Sequence, residues 1–456
     1  MNKKWFDTNI TILGLSLSGI AAAKYLNKKG ANCTISEKRE EKSEDLEKIK
    51  ELNHLGINVE MGAHKEETIL NADLVITSPG IPPRSEVIKL ARQNKIQVIS
   101  EVELAYLETS KPFIGITGTN GKTTTTKLIS EILTNFGYKA PVCGNIGFPI
   151  INLVDDDVDY FVAELSSFQI DTSPTFKAQI GVFINYAPDH VDWHGSEEAY
   201  FAAKASMFTG HKSSGWSVLN ACDPKIYDLK NNSFSKIVGF GKNTHDECVY
   251  IENNSIVSRN KGKTLNIINL NEIPLLGGHN LQNIMASIAV AVIVGVDIDT
   301  IKSTIMDFQP PEHRLEYVET IDGIAYYNDS KATNCDSTIC ALKAFGENKV
   351  VLIAGGRDKG TDLTEMVEAI KEHAASVVLI GEAADRFQQA LVLLGYNAIH
   401  RTNTLEEAID KASGLNQGPV LFAPACASFD MFRNFEERGR AFKDYVVKKI
   451  SLSPIK

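Results

Sequence analysis

Short runs of apolar and β-branched residues alternate with helical patterns along the whole chain. Apolar strands separated by helices are typical of parallel sheets that helices cover on both faces. In such sheets, ligands bind beyond the carboxyl ends of the strands. The pattern therefore predicts an α/β fold with its chemistry at the strand ends. The predicted strands are Ile10–Leu13, Cys33–Ser36, Leu74–Thr77, Phe113–Thr117, Tyr160–Glu164, Gly181–Asn185, Trp216–Leu219, Ile324–Asn328, Val350–Ala354, Ser376–Ile380 and Pro419–Ala423.

Two proline-containing breaks interrupt this alternation, at Ser110-Lys111-Pro112 and at Gln309-Pro310-Pro311. Proline disfavours helix in the residue before it, so both breaks are natural domain boundaries. They predict three domains, comprising residues 1–109, 110–309 and 310–456. The segment from Lys236 to Pro274 is more polar and irregular, and we expect it to be rich in β-structure.

Composition narrows the class of protein. The chain is 43% hydrophobic and 23% charged, which is ordinary globular composition. A net charge of −10 disfavours a bulk electrostatic grip on nucleic acid or on a membrane surface. The cysteines are scattered without a CxxC pair, which favours reduced thiols in a cytoplasmic protein. The longest nearly apolar run, Ile284 to Val296, is too short to span a bilayer.

A glycine-rich loop follows the strand Phe113–Thr117 and opens a helix. Its glycines let backbone N–H groups approach phosphate oxygens, Lys122 adds a full positive charge, and the Thr123 hydroxyl can ligate Mg²⁺. The loop is one residue shorter than the general GxxxxGK[ST] pattern, and a plain strand-to-helix turn is the alternative. Its context favours a nucleoside triphosphate. The loop residues are Gly118, Thr119, Asn120, Gly121, Lys122, Thr123 and Thr124.

The turn Gly14–Gly19 has the same strand-to-helix context in the first domain. It resembles GxGxxG, but Ser16 occupies the second glycine position, which disfavours a complete NAD fingerprint. Glu37 ends the next strand, and the loop Ser78–Pro82 follows another. These features favour a nucleotide diphosphate on the helix N-terminus. Ordinary turns without a ligand are the alternative.

Polar side chains also follow strands of the second domain. Glu164 ends one strand, where an acid can hold the Mg²⁺ of a nucleotide. The loop Asn185–Gly195 combines histidine, aspartate and tryptophan, and this favours a site over a linker. His190 in that loop is an unusual ligand for Mg²⁺ and would suit Mn²⁺ as well. Lys204, judged by the residues around it alone, is an ordinary solvated helix lysine.

Three loops of the third domain follow strands in the same way: Asn328–Asn334, Gly355–Gly360 and Pro424–Asp430. Taken together, the three loops combine cations with hydroxyl groups. Lysine as a point charge and arginine as a bidentate donor suit a small polyanionic substrate. The alternative for any one of these loops is a polar, solvent-exposed edge of the sheet without a ligand. Three such loops at the same predicted edge favour a binding site instead.

With these motifs in order, the chain resembles the Mur ligases, ATP-dependent amide-bond-forming enzymes of peptidoglycan precursor synthesis. The segment Gly118–Thr125 (GTNGKTTT) carries the family match. The turn Gly14–Gly19, the loop Ser78–Gly80, Asn328–Asn334 and Pro424–Phe435 resemble the D-glutamate-adding branch. The resemblance implies a Rossmann-like N-terminal domain, a central P-loop-type ATP-binding domain and a Rossmann-like C-terminal domain. Folylpolyglutamate synthetases share only the latter two domains.

The resemblance also implies ligands and roles. The substrates would be ATP, UDP-N-acetylmuramoyl-L-alanine and D-glutamate, with two Mg²⁺ ions that Mn²⁺ could replace, and the protein is expected to be a monomer. The catalytic residues would be Lys122, Glu164, His190 and Lys204. The metal ligands would be Thr123, Glu164, His190 and Lys204 as a carbamate. Beyond the phosphate loop, Asn283 would face adenine, Arg314 the phosphates and Asp329 the ribose. The UDP-sugar residues would be Gly14, Leu15, Ser16, Glu37, Lys38, Arg39, Gly80, Asn145, Gln169 and His190. The D-glutamate residues would be Lys331, Thr333, Lys359, Ser428 and Phe435.

Two functions of other classes are compatible with parts of the chain. A nicotinamide-dependent oxidoreductase could use the turn Gly14–Gly19, but it would not need Lys122 and Thr123 together with Glu164. A non-catalytic nucleotide switch could use the phosphate loop, but it would not need three substrate-like loops in a separate domain.

Overall fold

The computed structural model describes residues 3–209, 215–275 and 277–452, and these residues form three β-sheets. Packing groups them into two compact units. The first unit is the chain up to Glu272 together with Gln282–Met306, and it holds the first two sheets. The second unit is Ile273–Leu281 with the chain from Asp307 onward, and it holds the third sheet.

The first sheet is parallel, with strand order β3-β2-β1-β4-β5. Its central strand buries four of its five residues, as the run of apolar residues predicts. Ser16 caps the first helix by accepting the Gly19 N–H at 3.1 Å. The elements are β1 Asn9–Leu13, α1 Leu17–Lys28, β2 Asn32–Ser36, α2 Leu46–His54, β3 Asn58–Glu60, α3 Glu66–Leu70, β4 Leu74–Thr77, α4 Glu86–Gln93, β5 Gln97–Ser100 and α5 Glu101–Glu108.

The second sheet has nine strands in the order β14-β13-β12-β11-β10-β9-β6-β8-β7. Strands β6 to β11 of this order pair in parallel, whereas β12, β13 and β14 form an antiparallel meander at one edge. The strands are β6 Phe113–Thr117, β7 Val142–Gly144, β8 Phe161–Glu164, β9 Ile180–Phe183, β10 Trp216–Asn220, β11 Lys236–Phe240, β12 Cys248–Glu252, β13 Ser255–Asn260 and β14 Lys263–Asn269. The helices are α6 Lys122–Phe136, α7 Ser167–Asp171, α8 Val191–His194, α9 Glu197–Ala205, α10 Pro224–Tyr227, α11 Gly278–Val294 and α12 Ile298–Asp307.

The third sheet has the order β15-β16-β20-β17-β18-β19, and β15 pairs antiparallel with its neighbour at one edge. All six residues of β17 are buried, because alternate side chains enter apolar clusters on opposite faces of the sheet. The elements are β15 Glu316–Ile321, β16 Ile324–Asn328, α13 Cys335–Lys343, β17 Val350–Gly355, α14 Thr364–His373, β18 Ala374–Ile380, α15 Ala384–Leu393, β19 Ile399–Arg401, α16 Leu405–Leu415, β20 Val420–Phe422 and α17 Phe435–Leu452.

The predicted α/β class is confirmed, and each strand predicted from an apolar run is present with both ends within two residues of its predicted bounds. The β-rich character of Lys236–Pro274 is also confirmed, by β11 to β14. The expectation of parallel sheets was incomplete, because β12–β14 and β15 are antiparallel edges. Edge strands such as β3 and β19 escaped the pattern because they bury little apolar surface. The predicted domain boundaries at 109/110 and 309/310 stay predictions.

Candidate functional site

The phosphate loop joins the fully buried strand β6 to helix α6. Gly121 is the N-cap of that helix and has φ of +79°, a conformation that favours glycine. A Cβ at Gly121 would lie only 2.3 Å from Oδ1 of Asn283, so the loop and α11 approach each other closely here. The ammonium group of Lys122 donates to the carbonyl oxygens of Gly118 at 3.0 Å and Thr119 at 2.8 Å. The lysine is thus held over the loop that it is expected to serve.

Asn185 follows β9, the strand next to β6, and its side chain holds the phosphate loop by hydrogen bonds. Its Oδ1 accepts the backbone N–H groups of Thr119 at 3.1 Å and Asn120 at 2.9 Å, and its Nδ2 donates to the Asn120 carbonyl at 3.0 Å. The Thr119 hydroxyl lies 3.2 Å from the hydroxyl of Tyr200. The sequence placed Asn185 in a loop predicted to form a site but gave it no specific role, and it gave none to Tyr200. An asparagine after the strand next to the phosphate-loop strand was the only available signal.

An oxygen-rich group lies beside the start of α6. The Thr123 hydroxyl donates to Oε2 of Glu164 at 2.8 Å, and Nδ2 of Asn145 donates to Oε1 of the same carboxylate at 2.8 Å. Glu164 is 2% exposed, so its charge is held among these donors and away from water. A hydroxyl and a carboxylate are oxygen ligands of the kind that Mg²⁺ prefers, and their placement beside Lys122 fits a nucleotide-bound Mg²⁺.

Lys204 differs from the solvated helix lysine that its local sequence suggests. Its side chain is 1% exposed, and its ammonium group donates to the Gly118 carbonyl at 2.8 Å. The same Nζ lies 4.7 Å from the centre of the Tyr200 ring. Burial, reinforced by the nearby charge of Lys122, lowers the pKa of Lys204 well below its usual range. The amine of Lys204 therefore loses its proton at a lower pH than an ordinary lysine does.

His190 precedes α8 with φ of +50°, and it is half-exposed. Its ring centre lies 4.9 Å from that of Phe168 and 6.0 Å from that of Tyr200, so His190 and Lys204 both adjoin the same tyrosine. The backbone N–H of His190 donates to Oδ1 of Asp189 at 2.9 Å. Across the residues that the structure describes, no three His, Cys, Asp or Glu side chains are grouped so as to hold a metal ion.

Gln169 is buried in α7, one turn from the strand end that carries Glu164. Its Oε1 accepts from the N–H and the hydroxyl of Ser166, both at 3.0 Å. This reciprocal cap fixes the start of the short helix and orients the glutamine amide. Gln169 therefore has a structural task, to which any contact with substrate would be added.

The first-domain turn is organised by Glu37. Its two carboxylate oxygens accept the backbone N–H groups of Leu15 at 2.9 Å and Arg39 at 3.1 Å. The Ser16 hydroxyl lies 2.8 Å from the hydroxyl of Ser78, in the loop after β4. Gly14 has φ of +97°, and a Cβ there would lie 2.9 Å from the Ser78 oxygen. The turn and the loop after β4 are thus bonded to each other.

A cavity of about 1110 Å³ opens beside this turn. Its lining includes five residues predicted to bind the UDP-sugar: Gly14, Ser16, Glu37, Lys38 and Gly80. Arg39, also predicted for this role, instead pairs with the buried Asp45, its Nη2 donating at 2.8 Å to Oδ1. The structure therefore brings half of the ten predicted residues to one cavity and gives Arg39 a different partner.

In the second unit, Asp329 and Arg314 lie close together. Asp329 is 7% exposed, and its Oδ1 accepts the Leu315 N–H at 3.2 Å. Burial raises the pKa of Asp329 to about 6, and the charge of Arg314 opposes that rise. The carboxyl group that follows β16 and the guanidinium that precedes β15 thus lie near each other, as their predicted contacts with ribose and phosphate require.

Buried Arg438 organises two of the predicted D-glutamate loops from α17. Its guanidinium donates to the Ser330 hydroxyl at 3.0 Å, to the Ser330 carbonyl at 2.7 Å and to the Cys426 carbonyl at 3.0 Å. Two predicted D-glutamate residues contact each other: Nζ of Lys331 lies 5.3 Å from the centre of the Phe435 ring. Sequence reasoning missed Arg438, because nothing local marks a helix arginine as buried.

The remaining predicted residues of this unit lie on loops joined by backbone hydrogen bonds. The Arg357 N–H donates to the Ala427 carbonyl at 2.9 Å, which ties the loop of Lys359 to the loop of Ser428. Thr333 donates its N–H to the Lys331 carbonyl at 2.9 Å. The three loops that end strands of this sheet therefore converge, as their sequence positions predict.

In the described part of the chain, no helix has the length and apolarity that crossing a membrane requires.

Comparison with known proteins adds to this geometry. Three family models match: a Mur ligase MurD-like N-terminal domain over residues 8–100, a Mur ligase middle domain over 116–291, and a Mur ligase glutamate ligase domain over 313–426. The chain is similar to UDP-N-acetylmuramoylalanine–D-glutamate ligase of Thermoanaerobacter pseudethanolicus, with 41% identity over 96% of this chain and 98% of that protein. It is also similar to the protein of that name from Clostridioides difficile, with 37% identity over 96% and 98%.

Solved structures share the fold at lower identity. UDP-N-acetylmuramate–alanine ligase of Thermotoga maritima matches with a TM-score of 0.58 and 20% identity, over 98% of this chain and 100% of that one. A folylpolyglutamate synthase of Mycobacterium tuberculosis matches with a TM-score of 0.58 and 16% identity, over 76% and 95%. The partial coverage of this chain agrees with the expectation that such enzymes share only part of the architecture.

Proposed function

Since this chain belongs to the Mur ligase family, we propose that it joins D-glutamate to UDP-N-acetylmuramoyl-L-alanine at the expense of ATP. The observation that carries the proposal is the convergence at the phosphate loop. Lys122 and Lys204 both donate to the Gly118 carbonyl, and Thr123 bonds Glu164 beside them. This arrangement supplies the Lys122 cation and a set of oxygen ligands where a triphosphate would be activated. The reaction would serve peptidoglycan precursor synthesis, in the cytoplasm and with the protein as a monomer.

The proposed reaction has two steps. The substrate carboxylate attacks the γ-phosphorus of ATP, and ADP leaves, so that an acyl phosphate forms. The amine of D-glutamate then attacks the acyl carbon, loses a proton, and inorganic phosphate leaves. Lys122 offsets the repulsion between the anionic carboxylate and the triphosphate, and the residues around it align the groups for displacement.

Two metal ions are part of this proposal. Thr123 and Glu164 would hold the first, and His190 with carbamylated Lys204 would hold the second. Mg²⁺ suits these ligands and Mn²⁺ could replace it. The ions would neutralise charge that develops between the carboxylate and the γ-phosphate. The depressed pKa of Lys204 supports the carbamate, because only a neutral amine adds CO₂ and releases a proton to form one.

The remaining roles are assigned by the same proposal. For ATP, the phosphate loop is joined by Asn283 at adenine, Arg314 at the phosphates and Asp329 at the ribose. The UDP-sugar would contact Gly14, Leu15, Ser16, Glu37, Lys38, Arg39, Gly80, Asn145, Gln169 and His190. D-glutamate would contact Lys331, Thr333, Lys359, Ser428 and Phe435. The UDP-sugar would bind to a domain of residues 1–109, ATP to a domain of residues 110–309 and D-glutamate to a domain of residues 310–456.

Phosphate release from ATP tests the function. We expect release only when UDP-N-acetylmuramoyl-L-alanine and D-glutamate are both present, and L-glutamate, L-lysine or L-alanine should not replace the D-amino acid. With hydroxylamine in place of the amino acid, an acyl hydroxamate should accumulate. Release that ignores either substrate would favour a nucleotide switch. A hydride-linked absorbance change without ATP would favour an oxidoreductase.

A further inference from the structure

Tyr186 lies between the two residues that bond the segment after β9 to the phosphate loop. The Asn185 side chain accepts the Thr119 N–H at 3.1 Å. The Thr119 hydroxyl accepts the Ala187 N–H and donates to the Ala187 carbonyl, both at 3.0 Å. The Tyr186 hydroxyl instead donates to the Glu197 carbonyl, at the start of α9, at 3.0 Å. Tyr186 therefore links the residues that support the phosphate loop to helix α9.

Helix α9 carries further groups of the site. The Tyr200 hydroxyl lies 3.2 Å from that of Thr119, and Nζ of Lys204 lies 4.7 Å from the centre of the Tyr200 ring. Phe201 follows Tyr200 on the same helix. The centre of the Tyr186 ring lies 5.7 Å from that of Tyr200 and 5.1 Å from that of Phe201. These three rings, which we call the aromatic cluster, join the segment after β9 to the helix that carries Lys204.

The ammonium group of Lys225, from α10, lies against the aromatic cluster. Its Nζ is 4.4 Å from the centre of the Tyr186 ring and 4.4 Å from the centre of the Phe201 ring. An ammonium group within about 6 Å of an aromatic ring is attracted to the face of that ring. Lys225 is exposed and forms no ion pair with the residues that the structure describes, so the two rings are the direct partners of its charge. One cation therefore holds a ring of the segment after β9 and a ring of α9 together.

We propose that Lys225 is a positioning residue for nucleotide binding, which keeps the segment 185–187 against α9 and thereby holds the phosphate loop in its binding conformation. The effect passes from Lys225 to Tyr186, and from the two neighbours of Tyr186 to the loop. The inference rests on the proposed function in one respect, because it takes the phosphate loop as the site of ATP. It assigns a role to α10, a helix that contains none of the predicted site residues.

Calorimetric binding of ADP with Mg²⁺ to the full chain, without the other substrates, tests this role. Lys225→Met keeps most of the length of the side chain and removes its charge, and we expect the dissociation constant for ADP to rise about fivefold. Lys225→Arg should restore wild-type binding, because a guanidinium also binds to aromatic faces. The control is Lys230→Met, which removes a lysine whose Nζ lies 4.1 Å from the centre of the Tyr227 ring, outside the aromatic cluster. Both methionine variants lose a cation–π contact, so their unfolding temperatures should be similar and only ADP affinity should separate them.

The positioning role predicts a second effect in turnover. Lys225→Met should raise KM for ATP about fivefold and leave KM for D-glutamate unchanged, because the loops assigned to D-glutamate follow strands of another sheet. Wild-type ADP affinity in Lys225→Met, an equal loss in Lys230→Met, or a loss that Lys225→Arg does not restore would overturn the role of Lys225 while leaving the ligase intact. Wild-type protein that binds ADP but does not consume D-glutamate would overturn the proposed function, and the difference in ADP affinity between the variants would still support the role of Lys225.

Discussion

The first unit contains two strand–turn–helix junctions that use opposite charges. At the junction between β6 and α6, two ammonium groups, those of Lys122 and Lys204, donate to the Gly118 carbonyl at 3.0 and 2.8 Å. At the junction between β1 and α1, the Glu37 carboxylate accepts the Leu15 and Arg39 N–H groups. The first arrangement places the positive charge of Lys122 at the loop, and the second neutralises the positive end of a helix.

The two junctions therefore differ in how they could bind a phosphate group. Burial lowers the pKa of Lys204, and repulsion from the neighbouring Lys122 ammonium group lowers it further. In the other junction Glu37 stiffens the turn but opposes an incoming phosphate. Positive charge for a diphosphate would then come from other parts of the cavity wall, such as Lys38. Similar backbone geometry therefore does not imply a similar mode of phosphate binding.

Removing Lys122, the less buried of the two lysines, should have the largest effect. Lys122→Ala takes away the charge that offsets repulsion between the two anionic reactants, and we expect kcat to fall about 1000-fold or more. Phosphate release with all three substrates measures it. Lys127→Ala, an exposed lysine one turn along α6, is the control and should keep wild-type activity. A Lys122→Ala protein within about tenfold of wild type would show that the loop does not activate ATP.

Lys204→Met tests the buried member of the pair. Methionine has a similar length and no charge, so the fold should be retained while kcat falls about 100-fold, because the carbamate oxygens are lost. A small added carboxylic acid should restore part of the activity. In the wild type, ¹³C-labelled bicarbonate should give a carbamate resonance that the variant lacks. Full activity without added acid would remove Lys204 from the mechanism.

These two lysines also show how far sequence reasoning reaches. The strand–loop–helix context and the local motif suffice to place Lys122, because its partners lie within four residues. Lys204 bonds a carbonyl 86 residues away, and no local signal marks it as buried. The family resemblance, not the physics of the surrounding residues, directed attention to it. Only the structure shows that Lys204 is buried.

The same limit applies elsewhere in the molecule. Apolar strands were predictable because burial on two faces requires a continuous apolar run, whereas the half-exposed edge strands β3 and β19 carry no such pattern. Arg438 bonds Ser330 across 108 residues, and only the fold shows that this helix arginine is buried. Residues that act through tertiary contacts are therefore the ones that sequence reasoning misses.

The two glycines that cap α6, Gly121 and Gly137, allow the effect of backbone strain to be separated from the effect of a close contact. Gly121 and Gly137 both have positive φ, but a Cβ at Gly121 would meet Asn283 at 2.3 Å, whereas at Gly137 it would meet nothing within 4 Å. We expect Gly121→Ala to weaken ATP binding about thirtyfold, through displacement of the loop. Gly137→Ala should cost only about 1 kcal/mol of stability and leave ATP binding unchanged. Equal nucleotide binding by the two variants would mean that the contact with Asn283 does not shape the loop.

Loss of the carboxylate at the other junction should have the smallest effect. Glu37→Ala leaves two half-buried N–H groups without their acceptor, and we expect KM for the UDP-sugar to rise roughly tenfold, since each such loss costs about 1 kcal/mol. Because the turn is separate from the phosphate loop, KM for ATP should not change. Glu41→Ala, an exposed acid nearby, controls for charge alone. A tighter UDP-sugar complex in Glu37→Ala would show instead that repulsion of the diphosphate outweighs stiffening of the turn, and would reverse the role assigned to this carboxylate.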